Sequence, residues 1–100
     1  KIHSSTLEAV INKVCIQYEV NKNEVLGDRR YQSLVKVRSI IINLMIEIHK
    51  VSLSQLGRML GMDHSTIIHH RSMKFDKRIY WSCEKTIHEE FIKLKEQLSI

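Results

Sequence analysis

One hundred residues, 43% of them apolar, suffice for one small packed domain and are too apolar for a disordered tail. Three Gly and no Pro exclude collagen, low-complexity linkers and most turn-rich all-β folds. Sixteen Lys+Arg against 11 Asp+Glu leave a net charge of +5, which turns attention to polyanionic partners.

The first helix is expected over 6–20. Ser5-Thr6-Leu7-Glu8 has the form of a capping box, and Leu7, Val10, Ile11, Val14, Cys15 and Tyr18 follow at helical spacing. Asn21-Lys22-Asn23-Glu24 repeats the box and opens a short helix ending at Gly27. Asp28-Arg29-Arg30 is a basic connector. Residues 31–49 contain no breaker and are apolar on most sides, as expected of the central helix of a bundle. Their β-branched content suits a strand too, but the length without a turn signal favours helix. Ser52-Leu53-Ser54-Gln55 is a third box, opening a helix over 53–60 that Gly61 stops. Another helix is expected from His64 or Ser65 past Met73. Cys83, Ile87, Phe91, Leu94 and Leu98 mark a closing amphipathic helix over 82–98. No repeat or linker interrupts the chain, so 1–100 reads as a single all-α domain.

The longest apolar run, 40–46, is bracketed by Arg38 and Glu47 and falls well short of the roughly 20 residues of a membrane span. No signal-peptide pattern opens the chain. Cys15 and Cys83 cannot build a zinc ribbon or a disulfide framework, and read as two reduced thiols in a cytosolic protein.

The positive charge is clustered. Arg29, Arg30, Lys36 and Arg38 face only Asp28 over 28–38; Arg58, Arg71, Lys74, Lys77 and Arg78 face Asp63 and Asp76 over 58–78. Each segment carries a net +3, and together they exceed the whole chain's excess. A single basic cluster is commonly a solvated surface. Two of them form a nucleic-acid footprint if the fold brings them to one side.

Residues 53–72 read LSQLGRMLGMDHSTIIHHRS. Two helices joined by a tight turn need a small residue where they approach, here Gly57. They need a residue tolerant of positive φ in the turn, here Gly61. Leu56, Leu60, Met62 and Ile67 stand where side chains fill the wedge. This is a helix-turn-helix pattern. The outward positions of its second helix are then Asp63, His64, Ser65, Ile68, His69 and Ser72, and those at its start face base edges. Asp63 can accept from a cytosine amino group, His64 and Ser65 can donate or accept, and Ile68 can touch a thymine methyl. Asp63 serves equally well as a helix cap. His70, where an inward aliphatic is usual, reads as a partly buried packing residue.

Leu56-Gly57 followed by Met62-Asp63-His64-Ser65-Thr66-Ile67-Ile68-His69 resembles the signature of the C-terminal DNA-binding domain of the bacterial chromosomal replication initiator DnaA. Tyr18, the segment from Val20 to Leu26, Arg29-Arg30 and Lys36-Val37-Arg38 match upstream features of that family. The resemblance covers about residues 5–75. It implies a compact five- to six-helix bundle with a Trp-repressor-like helix-turn-helix. It implies that Arg30 enters the minor groove, that Asp63, His64 and Ser65 read the major groove, and that Lys36 and Arg38 lie near the phosphate backbone. The family's Gly-Gly-Arg before Asp-His is here only Gly61-Met62; an arginine shortly after Arg30 is Gln32; the family's proline is Val37. The expected target is therefore a different or degenerate site.

The expected function is sequence-specific binding of double-stranded DNA in replication-origin recognition or its control. Arg30, Asp63, His64, Ser65, Ile68 and His69 form the expected base-reading set; Arg29, Lys36, Arg38, Arg58, Thr66, Arg71 and Lys74 form the expected phosphate set. No cofactor or metal is expected: there is no phosphate-cradling Gly-rich loop, and His64 and His69 do not share a helical face. No nucleophile and base stand out at a catalytic spacing, so the chain does not read as an enzyme. A monomeric, cytoplasmic, nucleoid-associated domain is expected, with other replication proteins as further partners. An upstream ATPase module is left open by a start at Lys1. A transcription regulator of the same fold is one alternative. A module docking on a replication protein through Ile87, Phe91, Leu94 and Leu98 is another.

Overall fold

The computed structural model describes residues 4–27, 31–75, Trp81 and 85–98. Among them are six helices and no strand: α1 (Ser4–Tyr18), α2 (Lys22–Val25), α3 (Gln32–His49), α4 (Leu53–Leu60), α5 (His64–Ser72) and α6 (Lys85–Leu98). The expected all-α helix-turn-helix bundle is what forms.

α3 is the axis of the bundle and packs against α1, α2, α5 and α6. Ile40, Ile42, Leu44 and Met45 are fully enclosed, which is why this segment is apolar on nearly every side. Leu7, Val10, Ile11 and Val14 of α1 close one flank, and Ile87, Phe91 and Leu94 of α6 close another. Three residues of the α6 stripe are thus core in this chain, while Leu98 is partly buried and Ile92, beside the stripe, is exposed.

Two of the three expected boxes supply an N-cap hydrogen bond. The Asn21 side chain accepts from the Asn23 N–H at 2.8 Å, and Ser52 Oγ accepts from the Gln55 N–H at 3.1 Å. The first does not: α1 already runs from Ser4, so Ser5 lies inside the helix. α1 also stops two residues before the expected end. Glu19 takes a left-handed conformation (φ 55°), and the Val20 N–H turns back to the Cys15 carbonyl at 3.1 Å. Lys50 ends α3 in the same way (φ 55°), donating to the Ile46 carbonyl at 3.0 Å. α2 is capped by Leu26 in a right-handed conformation, one residue before the expected Gly27. The expected start of α6 near Ser82, with Cys83, lies outside the described residues.

The core holds a polar line along α3. Trp81 is fully buried and donates through Nε1 to Ser39 Oγ at 2.6 Å, with its ring edge-on to Phe91 at 5.4 Å. Asn43 donates to the Ser39 carbonyl at 2.8 Å and to the His70 carbonyl at 3.4 Å, and accepts from Arg71 at 2.7 Å. These bonds satisfy a buried amide that would otherwise be costly to enclose. No helix among the described residues is long and apolar enough to cross a membrane.

Candidate nucleic-acid interface

α4, the turn and α5 are built as their residues require. Gly57 is buried, and its carbonyl accepts from the Met62 N–H at 2.9 Å. Gly61 adopts φ 66°, the left-handed conformation that ends α4 at no steric cost to glycine. Leu56 and Ile67 are fully enclosed between the helices, while Leu60 and Met62 are half-buried at the edge of the wedge.

This register decides which side of α5 faces outward. Ile67 and His70 point inward; Asp63, His64, Ser65, Ile68 and His69 are exposed, Thr66 and Ser72 partly so. The outward residues expected from the sequence therefore occupy one accessible side of the helix. Asp63 is the N-cap residue by backbone conformation, yet its side chain makes no capping hydrogen bond. Asp63 is itself exposed.

Two depressions flank the start of α5. One, of about 510 Å³, lies between α5 and the corner where α2 gives way to α3; Asp63, Ser65, Thr66 and His69 form one wall, Gly27, Val35 and Arg38 the other. The second, also about 510 Å³, brings Arg58 and Ser54 of α4 beside Asp63 and His64. Gly27 immediately precedes the basic connector in the chain. Arg29 and Arg30 themselves lie outside the described residues, so the expected minor-groove arm is located only by its flank.

The expected phosphate set divides. Arg58 is exposed beside His64, Thr66 is partly exposed in the groove wall, and Lys36 holds its ammonium 5.1 Å above the Tyr18 ring. Arg38 departs from the expectation: it is only 6% exposed, and its guanidinium donates to three backbone carbonyls. Arg71 and Lys74 depart too, because Glu47 draws them onto α3. Arg71 bonds Glu47 Oε2 at 3.1 Å, Lys74 reaches the same oxygen, and Lys95 of α6 bonds Oε1 at 3.1 Å. Burial alone would raise the Glu47 pKa. The hydrogen bonds from Lys74 and Lys95, the Lys74 charge and the Arg71 bond outweigh it and hold the carboxyl near 2. Nothing near Glu47 in the sequence marks it as the hub of α3, α5 and α6; its partners lie 24, 27 and 48 residues away.

His70 is 5% exposed, as its packing role predicts, and its Nδ1 has no hydrogen-bond partner among the described residues. Burial above all, with smaller electrostatic contributions from the neighbouring His69 and Arg38, pushes its pKa down to about 4, so the ring is neutral at physiological pH. Among the described residues no cluster of His, Cys, Asp or Glu could hold a metal ion. Cys15 is a buried free thiol whose pKa is raised by that burial.

A glycine-stopped helix, a tight turn and a second helix that exposes its first-turn polar residues define a helix-turn-helix domain of the DNA-binding class. The model of the family described as bacterial dnaA protein helix-turn-helix matches residues 7–73, and the chain belongs to that family. Its relatives include the chromosomal replication initiator protein DnaA of Citrifermentans bemidjiense, 34% identical over 80 residues that cover 79% of this chain and 17% of the relative. The protein of that name from Geobacter sp. strain M21 is 34% identical over 69% of this chain and 15% of its own length. That from Mycoplasma pneumoniae is 29% identical over 68% of this chain and 16% of its own length. The chain spans less than a fifth of the length of these relatives.

Proposed function

We propose that this chain binds double-stranded DNA sequence-specifically in replication-origin recognition or its control. The start of α5 enters a major groove, and Arg30 enters the adjacent minor groove. Asp63, His64, Ser65, Ile68 and His69 read base edges there, and Arg29, Lys36, Arg58 and Thr66 contact phosphates.

One observation carries the reading. The exposed first-turn residues of α5 share a groove with Gly27, the residue from which the Arg29-Arg30 connector departs. A single duplex laid along that groove meets α5 and Gly27, the last described residue before the connector. Family membership and the replication initiators among the relatives support the replication role.

The test is binding to labelled duplexes by fluorescence anisotropy across a salt series. A random duplex should bind at micromolar protein in low salt, and log K should fall linearly with log salt. Lys36→Ala should weaken all sequences alike and reduce that slope by roughly one unit. Absence of any binding at low salt would overturn the reading in favour of a protein-docking module. Preferred duplexes selected from a random pool should cluster at a replication origin; clustering at promoters instead would favour a transcription regulator.

A further inference from the structure

α5 carries the residues read as facing base edges, yet it sits on the bundle with little apolar grip. Of its nine residues only Ile67 and His70 are buried, and of these only Ile67 is apolar. Apolar burial is non-directional, so a helix held at one apolar point can roll about it. Hydrogen bonds are directional and can stop the roll. Asn43 supplies them. It is wholly enclosed, on the stripe of α3 where Ser39, Asn43 and Glu47 follow one turn apart. Its Nδ2 donates to the Ser39 carbonyl of its own helix at 2.8 Å and to the His70 carbonyl of α5 at 3.4 Å, and its Oδ1 accepts from Arg71 Nη1 at 2.7 Å. The same Arg71 nitrogen donates to Glu47 Oε2 at 3.1 Å. Two successive residues of α5, one through its backbone and one through its side chain, are thus tied to one stripe of α3.

We infer that Asn43 is a positioning residue for base reading: it holds α5 at one rotation on α3, the rotation that turns Asp63, His64 and Ser65 outward. The inference rests on the DNA-binding reading above and gives that site one more part. Enclosing an amide costs stability that an aliphatic side chain would not, so stability gives no reason for Asn43 in the middle of an otherwise apolar stretch. Among the described residues its bonds outside α3 go to α5 alone. The amide donates at one end and accepts at the other, and its bond to Ser39 fixes which end is which. Only one arrangement of α5 then meets a donor with a carbonyl and an acceptor with a guanidinium. A rolled α5 would remain helical and still lose discrimination, because His64 and Ser65 would no longer point at base edges.

The experiment measures the affinities of Asn43→Ala for a selected duplex and a random one, with fold checked by circular dichroism. A smaller folded fraction lowers binding to both duplexes by the same factor, so the ratio of the two affinities reports the aim of α5 and not stability. Asn43→Ala should lower that ratio by about fivefold or more, the least that one well-aimed base contact supplies, and leave the salt slope unchanged. In a His64→Ala background the same change should cost little more, a shortfall from additivity of about threefold or greater. An unchanged ratio or additive losses would overturn the inference. If Asn43→Ala does not fold, Arg71→Ala decides, since it removes the same tie from its partly exposed end. It should lower the ratio at an unchanged salt slope; an unchanged ratio would overturn the inference there too. Intact discrimination in His64→Ala would instead sink the DNA reading itself. Lost discrimination in His64→Ala with an unchanged ratio in Asn43→Ala would sink only the positioning role.

Discussion

Gly57 and Met62 approach so closely that a Cβ at position 57 would lie 2.9 Å from the Met62 carbonyl oxygen. The obstacle is backbone, in the turn that sets the angle between α4 and α5. Gly57→Ala gains roughly 1 kcal/mol of helix propensity, yet it must push the turn away, at a cost of about 1–3 kcal/mol. We expect a net loss of stability in urea titration and a weaker selected duplex for the fraction that stays folded. Gly61→Ala meets no atom within 4 Å, but φ 66° is unfavourable for any L side chain. It should cost about 1–2 kcal/mol and leave the binding of the folded protein unchanged.

Stability should fall with acid in two windows. The His70 pKa is depressed to about 4 by burial, so between its ordinary value and 4 the unfolded chain binds the extra proton. Stability from the neutral ring is complete above the unfolded value and is lost as pH falls toward 4. The Glu47 carboxyl sits near 2 in the fold, so its contribution is present above the ordinary carboxylate value and is lost as pH falls toward 2. Urea midpoints from pH 7 to pH 3 check this. His70→Leu should flatten the upper window without touching the lower one.

Glu47 binds two cations expected to contact phosphate, so its removal should alter salt behaviour as well as stability. Glu47→Gln leaves Arg71, Lys74 and Lys95 facing an uncharged amide. In a partly exposed network the loss should be about 1–3 kcal/mol. Freed of their partner, Arg71 and Lys74 should raise affinity for random duplex and steepen the slope of log K against log salt. Arg71→Ala in the unaltered background should leave that slope where it is. A flatter slope in Arg71→Ala would return Arg71 to the phosphate contacts.

Much of the fold is legible in sequence because it is written in local chemistry. Ser52, Gly57 and Gly61 act within five residues of themselves, and each does in the structure what its residue type demands. The outward side of α5 follows from helical geometry once the turn is placed, which is why Asp63, His64, Ser65, Ile68 and His69 emerge together. The end of α1 was less readable, because Glu19 takes the left-handed conformation that glycine ordinarily marks. Charge assignments are least legible where the partner is remote. Nothing beside Arg38 in the chain announces the carbonyls of Glu24, Val25 and Gly27, and nothing beside Arg71 announces Glu47. A cation count finds the basic segments, but only tertiary structure separates those that face outward from those already engaged. Trp81 illustrates the same limit: its acceptor, Ser39, is 42 residues away.

The exposed first turn of α5 is the centre of the account, and His64 is its most direct probe. Preferred duplexes are first selected from a random pool with the unaltered chain. His64→Ala is then compared on the selected and the random duplex at one salt concentration. Discrimination should fall by about 1–3 kcal/mol, with binding to random duplex nearly unchanged. Equal losses on the two duplexes would contradict base reading by α5.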